Sequence, residues 1–260
     1  KRSFSGPALI TTSINIEGFS NNKSDILQEL CQKNTCDVIC VQETHRDKDN
    51  IRPKIKGMKL AIERPHKKYG STIFVRDNLK ILSTSHTETN DIEILTVELT
   101  NCTVTSVYKP PNMPFKFTKP TNFENQRTKI VIGDFNSHNS AWGYNETNED
   151  GEEVEKWTEA NDLTLVHDTK LPSSFNSGRW RRGYNPDIIF VSSNIKQQCK
   201  KKVEAPIPNS QHRPITCQIK AIIHPENVPM IRRYNFKKAN WDNFKTQLDT
   251  EINKITPIPE

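Results

Sequence analysis

Five polar residues stand at the ends of apolar, β-rich runs. Glu43 follows Val38–Val41, Asp134 and Asn136 follow Ile130–Ile132, Asp187 opens Asp187-Ile-Ile-Phe-Val191, and His212 directly precedes the run that starts at Pro214. Polar groups at strand ends point into a shared sheet edge, where they can converge. Carboxylates, an amide and an imidazole gathered there suit hydrolysis of a phosphodiester, which needs a hydroxide in line with the leaving oxygen and charge neutralised on the phosphate. Singly, each residue has a plainer reading. A Glu after a strand is usually a solvated turn residue, Gly-Asp often only turns the chain, and a lone His is more often structural. The ordered set outweighs its members.

The elements that must position these residues can be read from periodicity. Strands are expected at Ala8–Ile16, Asp37–Gln42, Met58–Ile62, Ser71–Val75, Lys80–Thr84, Glu93–Leu99, Thr103–Tyr108, Lys129–Ile132, Leu163–Val166, Asp187–Val191 and Pro214–Lys220. Helices are expected at Lys23–Lys33, about Glu152–Asn161 and Asn240–Ile255. The strands between Met58 and Tyr108 lie too close for intervening helices and read as an antiparallel sheet of hairpins. Lys109-Pro-Pro-Asn-Met-Pro114 must be a loop, since proline lacks the backbone donor. Two β-rich halves of similar grain predict an α/β fold, a four-layer α/β sandwich of two mixed, mostly antiparallel sheets packed face to face with helices outside. Residues 1–222 would form this domain. Residues 223–260 read as a basic, proline-bearing linker and an amphipathic helix, whose stripe Trp241, Phe244, Leu248 and Ile252 needs a cover.

Six motifs in order carry a family resemblance: Ser13-Ile-Asn-Ile-Glu-Gly18, Val41-Gln-Glu-Thr44, Val107-Tyr-Lys-Pro-Pro-Asn112, Ile132-Gly-Asp-Phe-Asn136, Pro186-Asp-Ile-Ile-Phe190 and Ser210-Gln-His-Arg-Pro214. Over about residues 8–220 the chain resembles the endonuclease/exonuclease/phosphatase superfamily, with its DNase-like fold. A finer resemblance is to the endonuclease domain of jockey-like non-LTR retrotransposons, carried by Tyr108–Asn112, Gly133–His138 with Ala141-Trp-Gly143, and Ser210–Ile215. Tyr234–Phe244 resembles the connector that those polyproteins place before the reverse transcriptase.

The residue types fit the chemistry so implied. Glu43 supplies a hard carboxylate for Mg²⁺, an ion that keeps several waters; Mn²⁺ is the natural substitute. Asn15 and Gln211 add neutral oxygens on the metal side. Asp134 is the expected base for the attacking water, and Asn136, two residues on, positions that water or the phosphate. Tyr108 can donate to a phosphate oxygen, with Asn112 nearby. The resemblance further implies that Asp187 and His212 form a dyad in which the carboxylate favours the protonated imidazole. In the family an Asp usually precedes this histidine. Gln211 removes that charge, so a higher metal requirement is expected.

The net charge is +6, with 37 Lys and Arg against 31 Asp and Glu, which suits an anionic partner without requiring one. The loop holding Arg179, Trp180, Arg181, Arg182 and Tyr184 combines phosphate-binding and stacking residues between glycines, and predicts contact with double-stranded DNA. Trp142 is expected to pack the loop after Asp134, and Trp157 to enter the core. His45 and His138 lack metal-ligand spacing, which argues against zinc. Six cysteines without a CxxC pair read as small core residues. No apolar stretch approaches the roughly 18 residues that span a bilayer, and no targeting signal is visible.

The expected function is a Mg²⁺-dependent endonuclease that nicks duplex DNA and leaves a 3′-OH for target-primed reverse transcription. Its partner would be a reverse transcriptase domain in the same polyprotein. A nuclear site of action follows from that role, and a monomer is the default. The alternatives are a repair nuclease or phosphatase of the same superfamily, or a nucleic-acid-binding module with impaired catalysis, the last favoured only by Gln211.

Overall fold

The computed structural model describes residues 8–49, 53–87, 92–178, 182–220 and 240–254. Fourteen strands and three α-helices are seen among them: β1 (Leu9–Asn15), α1 (Asn21–Asn34), β2 (Val38–Gln42), β3 (Met58–Arg64), β4 (Ser71–Arg76), β5 (Ile81–His86), β6 (Glu93–Leu99), β7 (Thr103–Tyr108), β8 (Lys129–Asp134), α2 (Glu149–Ala160), β9 (Leu163–Leu165), β10 (Phe175–Ser177), β11 (Arg182–Tyr184), β12 (Asp187–Ser192), β13 (Cys199–Val203), β14 (Ile215–Ile219) and α3 (Trp241–Ile252).

Two six-stranded sheets run in the orders β13-β14-β1-β2-β4-β3 and β5-β6-β7-β8-β12-β9, and β10 and β11 form a separate hairpin. Each sheet has one parallel pair, β1 with β2 and β7 with β8, and each pair fills the two central positions. Covered on both faces, β2 and β7 are buried along their whole length, β2 as a near-continuous apolar run and β7 with Thr103, Thr105 and Ser106 buried among its valines. The two sheets pack through one shared cluster that includes Val38, Cys40 and Ile73 from the first and Leu95, Val104 and Ile132 from the second. A second cluster joins Leu27 and Cys31 of α1 to Ile39, Val41 and Phe74. A third joins Val154 of α2 to Val131, Phe135 and Phe190, with Trp157 packed against it. The layers are therefore helix, sheet, sheet, helix, the expected α/β sandwich.

Two expectations need correction. Met58–Tyr108 is not a single antiparallel sheet: β3 and β4 belong to the first sheet and β5, β6 and β7 to the second. Nor are the sheets sequential halves, because β13 and β14 return to the first. Alternating apolar residues show that a strand has a buried face, but not which of two facing sheets it joins. β13 was hidden by Lys200-Lys-Lys202. It is an edge strand with Lys200 and Lys202 outward and Lys201 buried, and lysines are common on such edges.

Side-chain caps set the helix starts. The Ser20 hydroxyl accepts from Lys23 N at 3.3 Å, and Asn148 Oδ1 accepts from Gly151 N at 2.9 Å. That cap begins α2 three residues before the expected Glu152 and puts Glu149, Asp150 and Glu152 at its positive end. The chain divides into two compact units, 1–226 and 227–260. In the second, α3 leaves Trp241, Phe244, Leu248 and Ile252 exposed.

Candidate active site

The two central parallel pairs build the site. Asn15 and Gln42 are register partners at the C-terminal ends of β1 and β2, and Tyr108 and Asp134 at those of β7 and β8. Strand direction and sheet position thus bring four chain segments to one edge, the place where parallel strands present ligand-binding loops. The edge needs close backbones. A Cβ on Gly133 would lie 1.9 Å from the Val107 carbonyl oxygen, so only glycine lets β8 lie this close to β7 before Asp134.

Asn15 bridges two carboxylates. Its Nδ2 donates to Glu43 Oε1 at 2.8 Å and to Asp134 Oδ2 at 3.0 Å. Glu43 Oε1 also accepts from the Tyr108 hydroxyl at 2.8 Å, and Oε2 lies 3.3 Å from His45 Nε2. Burial, with Glu43 and Asp134 close by, pushes the Tyr108 phenol up, so it stays a donor. Glu43 and His45 both hold left-handed backbone angles, φ 50° and 51°, as does Asn136 at 42°. Such angles are costly for these residues and cluster where a structure over-determines a site.

Asp134 faces Asp187 across β8 and β12, where the two are register partners. His212 Nδ1 lies 2.9 Å from Asp187 Oδ2, and its Nε2 lies 3.8 Å from Asp134 Oδ2. All three residues are buried, and their ligand atoms lie within 4.8 Å of one another. Burial alone would lower the His212 pKa, but Asp187, Asp134 and Glu17 together raise it to about 9. Complete burial pushes Asp134 up to about 7, against the pull of His212. The structure thus brings Asp187 and His212 together, as the sequence resemblance implied, and the neighbouring carboxylates favour the charged imidazole. The Ser210 hydroxyl ties this loop to β1, donating to Asn15 O at 3.0 Å and accepting from His212 N at 3.1 Å.

Two parts of the site could hold a divalent cation. The Asp134–Asp187–His212 cluster offers buried ligand atoms, with His212 reaching both carboxylates. Glu43 is one-fifth exposed, and its Oε1 accepts from the Asn15 amide nitrogen and the Tyr108 hydroxyl, while the expected Asn15 oxygen instead accepts from Glu17 N at 3.2 Å. A single hard carboxylate of this kind fits a Mg²⁺ that keeps most of its waters.

Residues 102–216 match the family described as endonuclease-reverse transcriptase. The chain is similar in structure to the endonuclease domain of TRAS1, a telomere-specific non-LTR retrotransposon, with a TM-score of 0.60 at 17% identity, covering 82% of this chain and 98% of that one. The chain has a DNase-like α/β-sandwich fold. An AP endonuclease from Archaeoglobus fulgidus matches this fold with a TM-score of 0.61 at 14% identity, covering 82% of this chain and all of that one. AP endonuclease LMAP from Leishmania major matches at 0.61 and 12%, covering 84% and 88%. The curated proteins give no match.

On this endonuclease-type fold, the other predicted residues separate. Gln211 is not drawn to Glu43. It is exposed, its Oε1 accepts from Gly178 N at 3.4 Å, and its backbone N–H donates to Glu17 at 3.0 Å. The side chain serves the β10–β11 hairpin because Asn176 N–H already bonds the Gln211 carbonyl. Asn112 is exposed in the turn after Lys109. Arg182 donates to Asn145 at 2.9 Å and lies 5.6 Å from the centre of the Tyr184 ring. Arg179, Trp180 and Arg181 lie outside the described residues, as does the connector before Asn240. Trp142 packs the loop after Asp134 as expected, buried and donating to Ser137 O at 3.0 Å.

Sequence reading missed an aromatic bank beside Asn136. His138 stacks on Tyr144 with centroids 4.2 Å apart, and Tyr144 on Tyr184 at 5.6 Å. With Phe175, Asn136 and Pro186 they line a cavity of about 400 Å³, and Phe175 lies 4.7 Å from the His212 ring. Tyr144 and Phe175 carry no local motif. Only the fold brings them there, Phe175 on the β10–β11 hairpin and Tyr144 in the segment before α2.

Proposed function

We propose that this chain is a Mg²⁺-dependent endonuclease that nicks duplex DNA within a retrotransposon polyprotein of the jockey kind. The observation that carries the reading is the Asn15 amide, which holds the Glu43 and Asp134 carboxylates on either side of one NH₂ group. The two carboxylates then have separate tasks. Glu43, with Asn15 beside it, would hold the ion, which when bound polarises the phosphate and stabilises the leaving oxygen.

Asp134 takes the proton of the attacking water; its raised pKa suits a base working near neutral pH. The water oxygen bonds to phosphorus, the bond from phosphorus to O3′ breaks, and O3′ takes up a proton. The products are a 3′-OH and a 5′-phosphate. Asn136 orients the water. His212, kept charged by Asp187, meets the negative phosphate oxygens in a buried setting where charge is poorly screened.

The family match over residues 102–216 supports a reverse transcriptase domain in the same polyprotein, with a nuclear site of action following from that role and a monomer sufficient for nicking. A repair nuclease is the second reading, favoured by the equally good superposition on two AP endonucleases. Supercoiled plasmid and a duplex with one abasic site, each with Mg²⁺, separate the two. Nicking of intact plasmid, abolished by Glu43→Ala and by His212→Ala, is the expected result. Cleavage confined to the abasic duplex would transfer the chain to repair, and binding without cleavage of either would leave a binding module.

A further inference from the structure

Lys109 is fully buried, although lysine seldom is. Its ammonium makes three bonds: Asp150 Oδ2 at 2.9 Å, Met113 O at 2.6 Å and Pro110 O at 3.3 Å. Asp150 in turn accepts from Phe115 N at 2.7 Å through its other oxygen. The pair thus closes Lys109–Phe115 into a ring pinned to the first turn of α2. The Lys109 backbone lies between two residues of the site. Its N–H donates to Asp134 O at 2.9 Å, and its carbonyl accepts from Asn136 Nδ2 at 2.9 Å. That last bond fixes the orientation of the Asn136 amide. With Nδ2 committed to the Lys109 carbonyl, Oδ1 is the remaining atom and can only accept. Asn136 also needs outside support because its backbone is left-handed.

We propose that Lys109, held by Asp150, is a positioning residue for the nuclease reaction, setting the Asn136 amide so that Oδ1 accepts from the attacking water. The inference rests on the nuclease reading above, but the bond between Lys109 and Asn136 does not. Replacing the ammonium would leave the Asp150 carboxylate and two carbonyls without their donor, and the ring would relax away from Asn136.

Lys109→Met and Asp150→Asn, each made alone and in an Asn136→Ala background, test it in two ways. Single-turnover nicking of supercoiled plasmid should slow about tenfold or more in each single variant, while duplex affinity stays within about twofold. Combined with Asn136→Ala, either change should cost less than about twofold more, because both act through one amide. Losses that multiply would overturn the proposal and make Lys109 a merely structural residue. Hydrogen exchange of the Asn136 side-chain amide, identified by its disappearance in Asn136→Ala, should accelerate about tenfold in Lys109→Met and in Asp150→Asn. An unchanged exchange rate would also overturn the proposal. This second measurement decides even if the wild-type chain nicks nothing, in which case the nuclease reading alone fails. Asp150→Asn keeps the bond to Phe115 and carries the test should Lys109→Met not fold.

Discussion

Asp134 and Asp187 lie directly opposite one another on β8 and β12, and a single histidine, His212, reaches both, at 3.8 and 2.9 Å. Two buried carboxylates this close need a positive charge between them, and the imidazolium supplies it. An NMR titration of the His212 ring should therefore have its midpoint near 9. A midpoint at or below the usual 6.5 would remove the charge from the site. The same shift links pH to stability. The folded pKa lies above the unfolded one, so the stabilisation is complete below pH 6.5 and is lost as pH rises through 9. Its full size is on the order of 3 kcal/mol. Urea melts of wild type and His212→Gln should thus differ most below pH 6.5 and converge above 9.

The pH–rate profile should be a bell. Its rising limb reflects Asp134 losing its proton near 7, and its falling limb His212 losing its own near 9. The two apparent values belong to the coupled set rather than to either residue. A nicking rate that is flat between pH 5 and 9 would show that neither group moves or holds a proton in the slow step.

Gly133→Ala should damage the fold as well as the site. The new methyl group would fall 1.9 Å from the Val107 carbonyl oxygen, far inside van der Waals contact, so β7 and β8 must part where Tyr108 and Asp134 are paired. A loss of roughly 3 kcal/mol or more is expected, with nicking falling further than stability alone explains. A variant that melts like wild type would mean that β7 and β8 can part at this point without cost.

Two strand ends were legible because β2 and β8 carry apolar runs, Val38–Val41 and Ile130–Ile132, that stop just before Glu43 and Asp134. Motif order then placed Asn15, Glu43, Tyr108, Asp134, Asn136, Asp187 and His212 in one site, and the geometry makes Asn15 and Tyr108 hydrogen-bond partners of Glu43. Sheet membership was not legible, since nothing local in β4 or β5 marks which of the two facing sheets it joins, yet they lie in different sheets. Neither was the role of Lys109, because in sequence it is one basic residue before two prolines. Only the fold brings Asp150, 41 positions later, to its ammonium.

The aromatic bank and the arginines should contribute to DNA binding in different ways. Tyr144→Ala with Tyr184→Ala removes the stacked surface beside Asn136, and should weaken duplex binding by about 1–3 kcal/mol if one base stacks there. The salt dependence should stay the same. Replacing Arg179, Arg181 and Arg182 with Ala should instead flatten the slope of log affinity against log salt, by about 0.9 for each phosphate no longer neutralised. Equal slopes in all three proteins would take the arginines off the phosphate backbone.

Gln211 offers the sharpest choice between two roles. As a metal-side oxygen it would set the Mg²⁺ requirement, and Gln211→Asp would restore the missing carboxylate and lower that requirement. In the structure its carbonyl instead accepts from Gly178, the first residue after β10, and its own backbone bonds Asn176 and Glu17. The side chain therefore braces the hairpin that carries Arg182 and Tyr184. Gln211→Ala should raise the duplex Kd several-fold, since a neutral hydrogen bond contributes about 1 kcal/mol. The Mg²⁺ concentration for half-maximal nicking should stay unchanged in Gln211→Ala and in Gln211→Asp. A lower Mg²⁺ requirement in Gln211→Asp would return position 211 to the metal side of the site.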